Sequence, residues 1–227
     1  MMAATHLIHG TGPQEKMRIG IVGAGRMGQT LARLLIRAGH YVKLANSRGP
    51  ESLAQVISDL GTGATAGTTE EVARFGDVVI IATRWDQIQP AVSALRLEGK
   101  VVIDTTNNRI GPGPEGLIDL GGRTSSEVVA EFVPGAHLVK AFNHQPISAL
   151  DGVPFASSAE RKALFIAGDN TDAKKLVSAL IRDMGAEPID VGNLQESGRL
   201  LGAGGPLTGH GRLLNVSEAR KLLDKVQ

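Results

Sequence analysis

The stretch Arg18-Ile-Gly-Ile-Val-Gly-Ala-Gly-Arg-Met-Gly28 decides the fold of this chain. It joins a short apolar run to the pattern Gly23-x-Gly25-x-x-Gly28, and Gln29–Ala38 then has the apolar spacing of a helix. In a strand–turn–helix unit that binds a dinucleotide, the first glycine permits the tight turn and the second lets the backbone approach the pyrophosphate. The third lets the helix pack closely on the strand. A merely structural glycine turn is the alternative, and the flanking strand and helix patterns favour the dinucleotide site.

Beyond this unit, apolar segments with strand character alternate with segments of helical spacing. Tyr41–Ala45, Asp77–Ala82 and Lys100–Asp104 are such strands, and the second is apolar almost throughout, as expected for a strand that is covered on both faces. The alternation predicts an α/β fold, a doubly wound parallel sheet of the Rossmann type in one domain. In such sheets ligands bind beyond the carboxyl ends of the strands.

The sequence divides into three segments. Residues 1–16 are expected to be a flexible N-terminal extension, 17–195 the nucleotide-binding domain and 196–227 a helical, glycine-rich C-terminal segment. In this last segment glycines recur at 198, 202, 204, 205, 209 and 211, and each opposes a regular helix by roughly 1 kcal/mol relative to alanine. Two interpretations stay open for the segment: a flexible tail, or a loop folded over the substrate end of the cleft.

Composition argues against several classes of function. A hydrophobic content of 42% with 21% charged residues is typical of a soluble globular protein. The net charge of +1 gives no support to a nucleic acid or an anionic membrane as partner. The chain has no cysteine, which rules out disulfides and cysteine nucleophiles, and its acidic and histidine residues show no metal-binding spacing. No run approaches the ~18 apolar residues of a membrane span, and residues 1–16 lack the apolar core of a signal peptide, so we expect a cytoplasmic protein.

The end of the second predicted strand indicates which dinucleotide binds. A fold that prefers NAD places an acidic residue about 20 residues beyond the glycine motif, where it bonds the ribose 2′-hydroxyl. This chain has Asn46-Ser47-Arg48 there instead. A carboxylate would repel a 2′-phosphate, whereas a hydroxyl and a guanidinium both donate to it. The sequence therefore favours NADP(H), with Arg48 as an ordinary solvated loop cation as the alternative.

Several motifs in one order resemble a known family: Gly23-Ala-Gly-Arg-Met-Gly28, Asn46-Ser-Arg48, Ala82-Thr-Arg-Trp85, Asp104-Thr-Thr-Asn107, Ser125-Ser-Glu127 and Val139-Lys-Ala-Phe-Asn143. Over about residues 17–195 the chain resembles the NADPH-dependent reductases of the coenzyme F420 (deazaflavin) NADP oxidoreductase family. It is also similar to the cytosolic reductase domain of the six-transmembrane metalloreductases. The resemblance implies NADP(H) as cofactor, F420, FMN or FAD as hydride acceptor, and Ser47 and Arg48 as the 2′-phosphate site. The glycine-rich C-terminal segment departs from the family's more regular helix, so the acceptor stays open.

The motifs and the predicted crevice together define the candidate site. By the resemblance, Thr83–Trp85 and Ala141–Asn143 would flank the nicotinamide and the acceptor ring. The predicted cofactor-binding residues are Gly23, Ala24, Gly25, Arg26, Met27, Gly28, Asn46, Ser47, Arg48, Ala82, Thr83, Arg84, Trp85, Asn107, Ala141, Phe142 and Asn143. Trp85 is expected to stack on an acceptor ring and Phe142 to wall the nicotinamide. The alternative for each is a place in the core.

Hydride transfer between two stacked rings needs no catalytic base, so the catalytic residues stay unassigned. His144 and Lys140 are the candidates. His144 directly follows the last motif, and its side chain titrates near neutrality. Lys140 is either a proton donor or a structural or solvated group, and strand alternation places it on the face opposite to Ala141. We read none of the histidines as a metal ligand.

Three functions fit the sequence. The first is an NADPH-dependent reductase of a flavin or deazaflavin, and the second is an NADP-linked reductase of a small carbonyl or imine compound. The third is a non-catalytic NADP(H)-binding module. Because one small domain would leave much of the crevice open, we expect a homodimer whose partner subunit helps to close it.

Overall fold

A computed structural model describes residues 16–111, 114–151, 161–196 and 198–226. The expected N-terminal extension over residues 1–16 lies outside the described residues except for Lys16. The first half contains β1 (Arg18–Val22), α1 (Arg26–Arg37), β2 (Tyr41–Ala45), α2 (Ala54–Leu60), β3 (Ala64–Ala66), α3 (Thr69–Phe75), β4 (Val78–Ile81), α4 (Ile88–Val92) and β5 (Val101–Asp104). The second contains α5 (Ser125–Phe132), β6 (His137–Ala141), α6 (Ile147–Asp151), β7 (Ala163–Gly168), α7 (Thr171–Asp183), β8 (Glu187–Asp190), α8 (Gly198–Leu201) and α9 (Val216–Leu223). Short 3₁₀ turns span Pro50–Leu53, Trp85–Gln87 and Pro114–Gly116.

The strands of the described residues form one eight-stranded sheet in the order β3-β2-β1-β4-β5-β6-β7-β8. β1 to β6 are parallel to one another. The order reverses between β1 and β4, so the carboxyl ends of these two strands flank the switch point at which ligands bind in such sheets. The predicted doubly wound α/β fold is confirmed.

One feature of the sheet differs from the prediction. β7 runs antiparallel to β6, with Ala141 opposite Ile166, and β8 is parallel to β7. The apolar run of β7 is buried on both faces, and a run of that kind has no periodicity that reports its direction. As a result, the carboxyl ends of β7 and β8 lie at the edge of the sheet opposite to the switch point.

Helices cover both faces of the sheet because the strands are apolar on both sides. On one face, α1 and α7 bury Leu31, Leu35 and Val177 against Ile19 and Ile80. The other face is covered by α3, α4 and α5. The glycine-rich C-terminal segment continues this second layer over β7 and β8.

The C-terminal segment is packed rather than loose. Leu201, Leu207 and Leu214 are buried against Phe165 and Ile189, and the segment turns through positive-φ glycines such as Gly204. The interpretation as a flexible tail is therefore wrong, because the outer face of β7 and β8 supplies an apolar surface that the glycine pattern alone does not reveal. The segment does not fold over the cleft either, since none of its described residues lines the cavities of the crevice.

Candidate active site

The glycine turn between β1 and α1 has the geometry that the sequence predicts. Gly23 has φ 112°, and a Cβ there would lie 2.4 Å from the carbonyl oxygen of Ala82. A Cβ on Gly28 would lie 1.9 Å from the carbonyl oxygen of Gly23, which explains how α1 approaches β1 so closely. A Cβ on Gly25 would meet no atom within 4 Å, so the space beside this residue is open to a ligand.

The beginning of α1 is suited to an anion. Gly25 is the N-cap and provides no side-chain hydrogen bond, and the first turn of the helix contains no acidic residue. The first amides of a helix have no intrahelical acceptor and carry the positive end of the helix dipole. Phosphate oxygens commonly satisfy such amides, and the open space beside Gly25 gives a phosphate room to approach.

Two cavities meet along the carboxyl edge of the sheet. The glycine-turn cavity, about 570 Å³, is lined by Gly25, Asn46 and Ser47 among others. The Trp85 cavity, about 700 Å³, is lined by Trp85, Asn107 and Asn143 among others. Ala82, Thr83 and Arg84 line both cavities, so the two form one crevice with Ala82–Arg84 at its middle.

The loop after β2 presents the polar groups that were predicted for a 2′-phosphate. The Asn46 side chain donates to Ser52 Oγ at 2.8 Å and accepts from the Arg48 backbone amide at 2.9 Å. Asn46 thereby fixes the loop and leaves Ser47 exposed at the wall of the glycine-turn cavity. The Arg48 side chain is exposed beside the cavity rather than in its wall, and its guanidinium makes no ion pair within the described residues.

A buried charged network supports the loop after β5. Lys140 Nζ on β6 donates to Asp104 Oδ2 at 2.9 Å, to Ser125 Oγ at 3.0 Å and to the carbonyl oxygen of Thr106. Asp104 also accepts from the Thr106 amide at 2.8 Å and hydroxyl at 2.7 Å, and from Ser126 Oγ at 2.8 Å. The network joins β5 and β6 to the first turn of α5, where Ser125 and Ser126 supply the hydroxyl groups. The next residue, Glu127, forms the capping box of α5 with Thr124.

The candidacy of Lys140 as a proton donor is corrected by this network. Its side chain is only 1% exposed and it lines neither cavity. An ammonium group has three donors, and Lys140 uses them on Asp104, Thr106 and Ser125. Lys140 is therefore a buried structural residue, neither solvated nor directed into the crevice.

A pair of asparagines fastens the wall of the Trp85 cavity. Asn107 Nδ2 donates to the carbonyl oxygen of Asn143 at 3.0 Å, and Asn143 Nδ2 donates to Asn107 Oδ1 at 3.0 Å. Asn143 Nδ2 also donates to the carbonyl oxygen of Leu201 at 2.6 Å. Through this last bond the C-terminal segment holds a residue of the crevice without lining the crevice itself.

Two of the predicted cofactor-binding residues on this segment are buried in the core. Ala141 and Phe142 are 0% and 1% exposed and pack in the main hydrophobic cluster. Phe142 has φ 65°, an uncommon conformation for a residue with a side chain. The prediction that Phe142 walls a nicotinamide is therefore wrong for its side chain, because this residue, one position beyond β6, packs its ring in the core. Asn143 is the member of this triplet that lines the crevice.

His144 is also a core residue rather than a proton-transfer group. Its Nε2 accepts from the Phe165 amide at 3.3 Å, and its ring lies 5.4 Å from that of Phe165. Burial, and then the positive charge of Lys140, lower its pKa to about 3. The ring is therefore neutral at physiological pH, and the candidacy of His144 as an acid is corrected.

Trp85 lies partly in the core and partly in the wall of the crevice, which were the two alternatives predicted for it. It is half-buried, packs against the apolar cluster beneath α4 and also lines the Trp85 cavity. Its neighbour Arg84 is 67% exposed and pairs with Asp86 at 3.1 Å. Met27 joins Trp85 in the wall of the same cavity, so this end of the crevice has apolar surfaces for a planar ring.

Residues outside the predicted set complete the crevice. Thr68, Thr69 and Gln87 line the glycine-turn cavity, while Arg109 and Gln145 line the Trp85 cavity. The position of Thr68 and Thr69 could be inferred from the sequence, because Thr68 and Glu71 have the spacing of a capping box and begin α3. The placement of Arg109 and Gln145 depends on how loops return to the crevice, for which the sequence contains no local signal.

Other kinds of site are absent from the described part of the chain. No group of three or more histidine, aspartate or glutamate side chains there has the arrangement of a metal site. Among the same residues, none of the helices has the length and apolar character needed to cross a bilayer.

Comparisons with known proteins find one family model and several similar proteins. The sequence profile described as "NADP oxidoreductase coenzyme F420-dependent" matches residues 18–108. A hypothetical protein of Sinorhizobium meliloti has 35% identity and a TM-score of 0.79, over 88% of this chain and 97% of the other. A protein of Arthrobacter sp. FB24 that is assigned as an F420-dependent NADP reductase has 25% identity and a TM-score of 0.67, over 78% and 86%. Metalloreductase STEAP3 of Rattus norvegicus is 32% identical over 80% of this chain, which spans only 35% of that protein's length.

Proposed function

From the match of residues 18–108 to the family of NADP oxidoreductases described as coenzyme F420-dependent, we propose that this chain is such an oxidoreductase and that it transfers hydride from NADPH to the central ring of a flavin or deazaflavin. The enzyme class, an NADP-dependent oxidoreductase, follows from the family. The acceptor is our proposal. The observation that carries it is the continuity of the two cavities through Ala82, Thr83 and Arg84.

The glycine-turn cavity is the proposed site of NADP(H). The backbone at Gly25 and the first amides of α1 would hold the pyrophosphate, because the space beside them is open and the amides are uncapped. Ser47 and Arg48 would hold the 2′-phosphate, since the end of β2 carries donors and no carboxylate. Thr83, which lines both cavities, has a buried hydroxyl oxygen without a hydrogen-bond partner among the described residues. This polar atom suits a site for the polar nicotinamide end.

The Trp85 cavity is the proposed site of the acceptor ring. The half-buried Trp85 ring and the Met27 side chain offer apolar surfaces, which favour a planar aromatic acceptor over a small polar one. Asn143 closes the wall, and its amide is fixed by Asn107 and Leu201.

Hydride transfer depends on how the protein positions the two rings and does not require an acid or a base from the protein. Bound NADPH would supply a hydride, and a flavin or deazaflavin ring accepts it without a protein base. The residues of this chain would bring the two rings together at Ala82–Arg84, which line both cavities. The buried, bonded state of Lys140 and the neutral, buried state of His144 agree with a site that has no general acid of its own.

The test combines a panel of acceptors with a variant of the acceptor wall. NADPH oxidation is followed at the nicotinamide absorbance with FMN, coenzyme F420, and small carbonyl and imine compounds. We expect turnover with a flavin or deazaflavin. Trp85→Ala should then raise the acceptor KM or lower kcat and leave the NADPH Kd within about threefold, or roughly 0.65 kcal/mol.

Tyr41→Ala is the matched control, because Tyr41 is an exposed aromatic residue at the start of β2, away from both cavities. Tyr41→Ala should change neither the acceptor kinetics nor the NADPH Kd. Turnover with small carbonyl or imine compounds alone would replace the proposal by the second function. Tight NADPH binding without any oxidation would replace it by the third.

A further inference from the structure

We propose that the acceptor carries an anionic group next to its ring and that Arg109 recognises that group. The inference rests on the proposed function and narrows it. The site would prefer a flavin or deazaflavin with an anionic side chain over the same ring without one. Arg109 would then be a specificity-determining residue in the wall of the acceptor site.

The first observation is the charge of the Trp85 cavity. Arg84 and Arg109 are its charged lining residues, and no aspartate or glutamate of the described chain lines it. The two arginines are not equivalent. Arg84 is mostly exposed, so solvent weakens its field at the cavity. Arg109 is half-buried, where a charge acts through a lower effective dielectric constant.

The second observation is that the backbone of Arg109 is held in place in the wall of the cavity. Arg109 and Leu117 form an antiparallel bridge, and the Ile110 amide donates to the Gly116 carbonyl at 2.9 Å. The Ile118 amide donates to the Asn108 carbonyl at 2.8 Å, and Asn108 Nδ2 donates to the Ile118 carbonyl at 2.6 Å. Arg109 thus projects from a small braced turn rather than from an unsupported loop.

The third step is chemical. A guanidinium group is planar and always charged, and its donors match the oxygens of phosphate and carboxylate groups in pairs. Arg109 Nη1 lies 3.3 Å from the carbonyl oxygen of Gly111, which also lines the cavity, and this bond orients the group. Ring acceptors occur with and without an anionic side chain. A cavity with apolar ring surfaces at Trp85 and a braced guanidinium at its mouth fits the first kind.

Two pairs of acceptors test the proposal, and each pair shares a ring and differs in charge. FMN is compared with riboflavin, and coenzyme F420 is compared with the same deazaflavin without its anionic side chain. In the native protein we expect the charged member of at least one pair to have a kcat/KM at least about tenfold higher, which equals ~1.4 kcal/mol. The advantage should shrink as ionic strength rises, because salt screens the attraction. An advantage in one pair alone identifies which anionic side chain the site accepts.

Substitutions assign the advantage to a residue. Arg109→Gln should reduce the ratio of kcat/KM between the charged and the uncharged acceptor of a pair to about twofold or less. The value of kcat/KM for the uncharged acceptor should change by no more than about twofold. Arg109→Lys keeps the charge and should retain part of the ratio. Arg182→Gln is the matched control, because Arg182 lies 3.6 Å from Glu187 and lines neither cavity, and it should leave the ratio unchanged.

The outcomes separate this inference from the function beneath it. Equal kcat/KM within both pairs in the native protein would overturn the role of Arg109 and leave flavin reduction intact. The same would follow if Arg109→Gln lowered both members of a pair equally, since that result indicates a structural role. Failure of every member to oxidise NADPH would instead overturn the proposed function, and this inference with it.

Discussion

Lys140 Nζ lies 2.9 Å from Asp104 Oδ2, and both side chains are almost completely buried, at 1% and 0% exposure. The pair joins neighbouring strands, and Ser125 and Ser126 attach it to the start of α5. It also fixes the carbonyl oxygen of Thr106, one residue before Asn107 in the wall of the crevice. A charged pair in the core thus determines the shape of a loop that the acceptor would meet.

Lys140→Met should destabilise the protein severely, because it leaves the Asp104 carboxylate buried without its cation. Breaking a buried ion pair in this way costs about 3–5 kcal/mol, measurable as a lower free energy of unfolding in urea. Lys175→Met is the matched control, since Lys175 pairs with Asp172 at 2.8 Å on the surface, with exposures of 72% and 89%. Its loss should be at most ~1 kcal/mol. Equal, small losses in both variants would contradict a structural role for the buried pair.

Arg48→Ala should weaken NADPH binding by about 1.5–3 kcal/mol, the range for a hydrogen bond to a charged group, and leave NADH binding nearly unchanged. The reason is that NADH has no 2′-phosphate for the guanidinium to hold. Titration calorimetry with each cofactor measures the difference, with Arg182→Ala as a control at a residue that lines neither cavity. Equal losses for NADPH and NADH would exclude Arg48 from the 2′-phosphate site.

His144 should make the stability of the protein fall in acid. Its pKa is about 3 in the folded chain and near 6.5 when unperturbed, so between these values the unfolded chain binds more protons. Stability is therefore lost as the pH falls through this window, by up to ~1.4 kcal/mol per pH unit. His144→Gln cannot titrate, so its free energy of unfolding should depend less on pH between 6 and 4. His137→Gln, a change at an exposed histidine, should keep the native dependence, whereas parallel curves for all three proteins would refute the assignment.

We expect a homodimer that closes the mouth of the crevice. Ile110 and Leu117 are 49% and 41% exposed on the turn that carries Arg109, and exposed apolar side chains at one place are typical of a contact surface. Light scattering should return roughly twice the 23.7 kDa of one chain, and Ile110→Glu should shift the mass towards the monomer. Tyr41→Glu, at an exposed aromatic residue far from the turn, should have no effect. A monomer mass at micromolar concentration would contradict the expectation.

The parts of the fold that were predictable from the sequence have local signals. The turn at Gly23–Gly28 depends on contacts within one strand–turn–helix unit and on the neighbouring carbonyl of Ala82, and β4 is recognisable from its apolar run. The direction of β7 was not predictable, because a strand that is buried on both faces looks alike in either direction. The burial of the C-terminal segment depends on the apolar outer face of β7 and β8, which is formed only by tertiary packing.

The difference between local signals and tertiary packing also explains which site residues were predicted correctly. Ser47 and Trp85 lie two and four residues beyond the ends of β2 and β4, so the rule for open sheets located them in the crevice. The role of Lys140 depends on Asp104 and Ser125, which are 36 and 15 residues away along the chain, and no spacing reveals such a network. Phe142 follows a strand end as well, but its positive φ turns the side chain into the core, which a regular alternation does not predict.

The bond from Asn143 to the Leu201 carbonyl has a consequence for the order in which the protein matures during synthesis. Chains are made from the N-terminus, and folding begins before they are complete. The glycine turn and the loop after β2 are made early, so the dinucleotide end of the crevice is available to form first. The bond from Asn143 to the C-terminal segment forms only after Leu201 has been added, and the outer face of β7 stays uncovered until Leu207 and Leu214 follow. A nascent or prematurely ended chain would therefore possess the residues that receive the cofactor before it possesses a finished place for the acceptor.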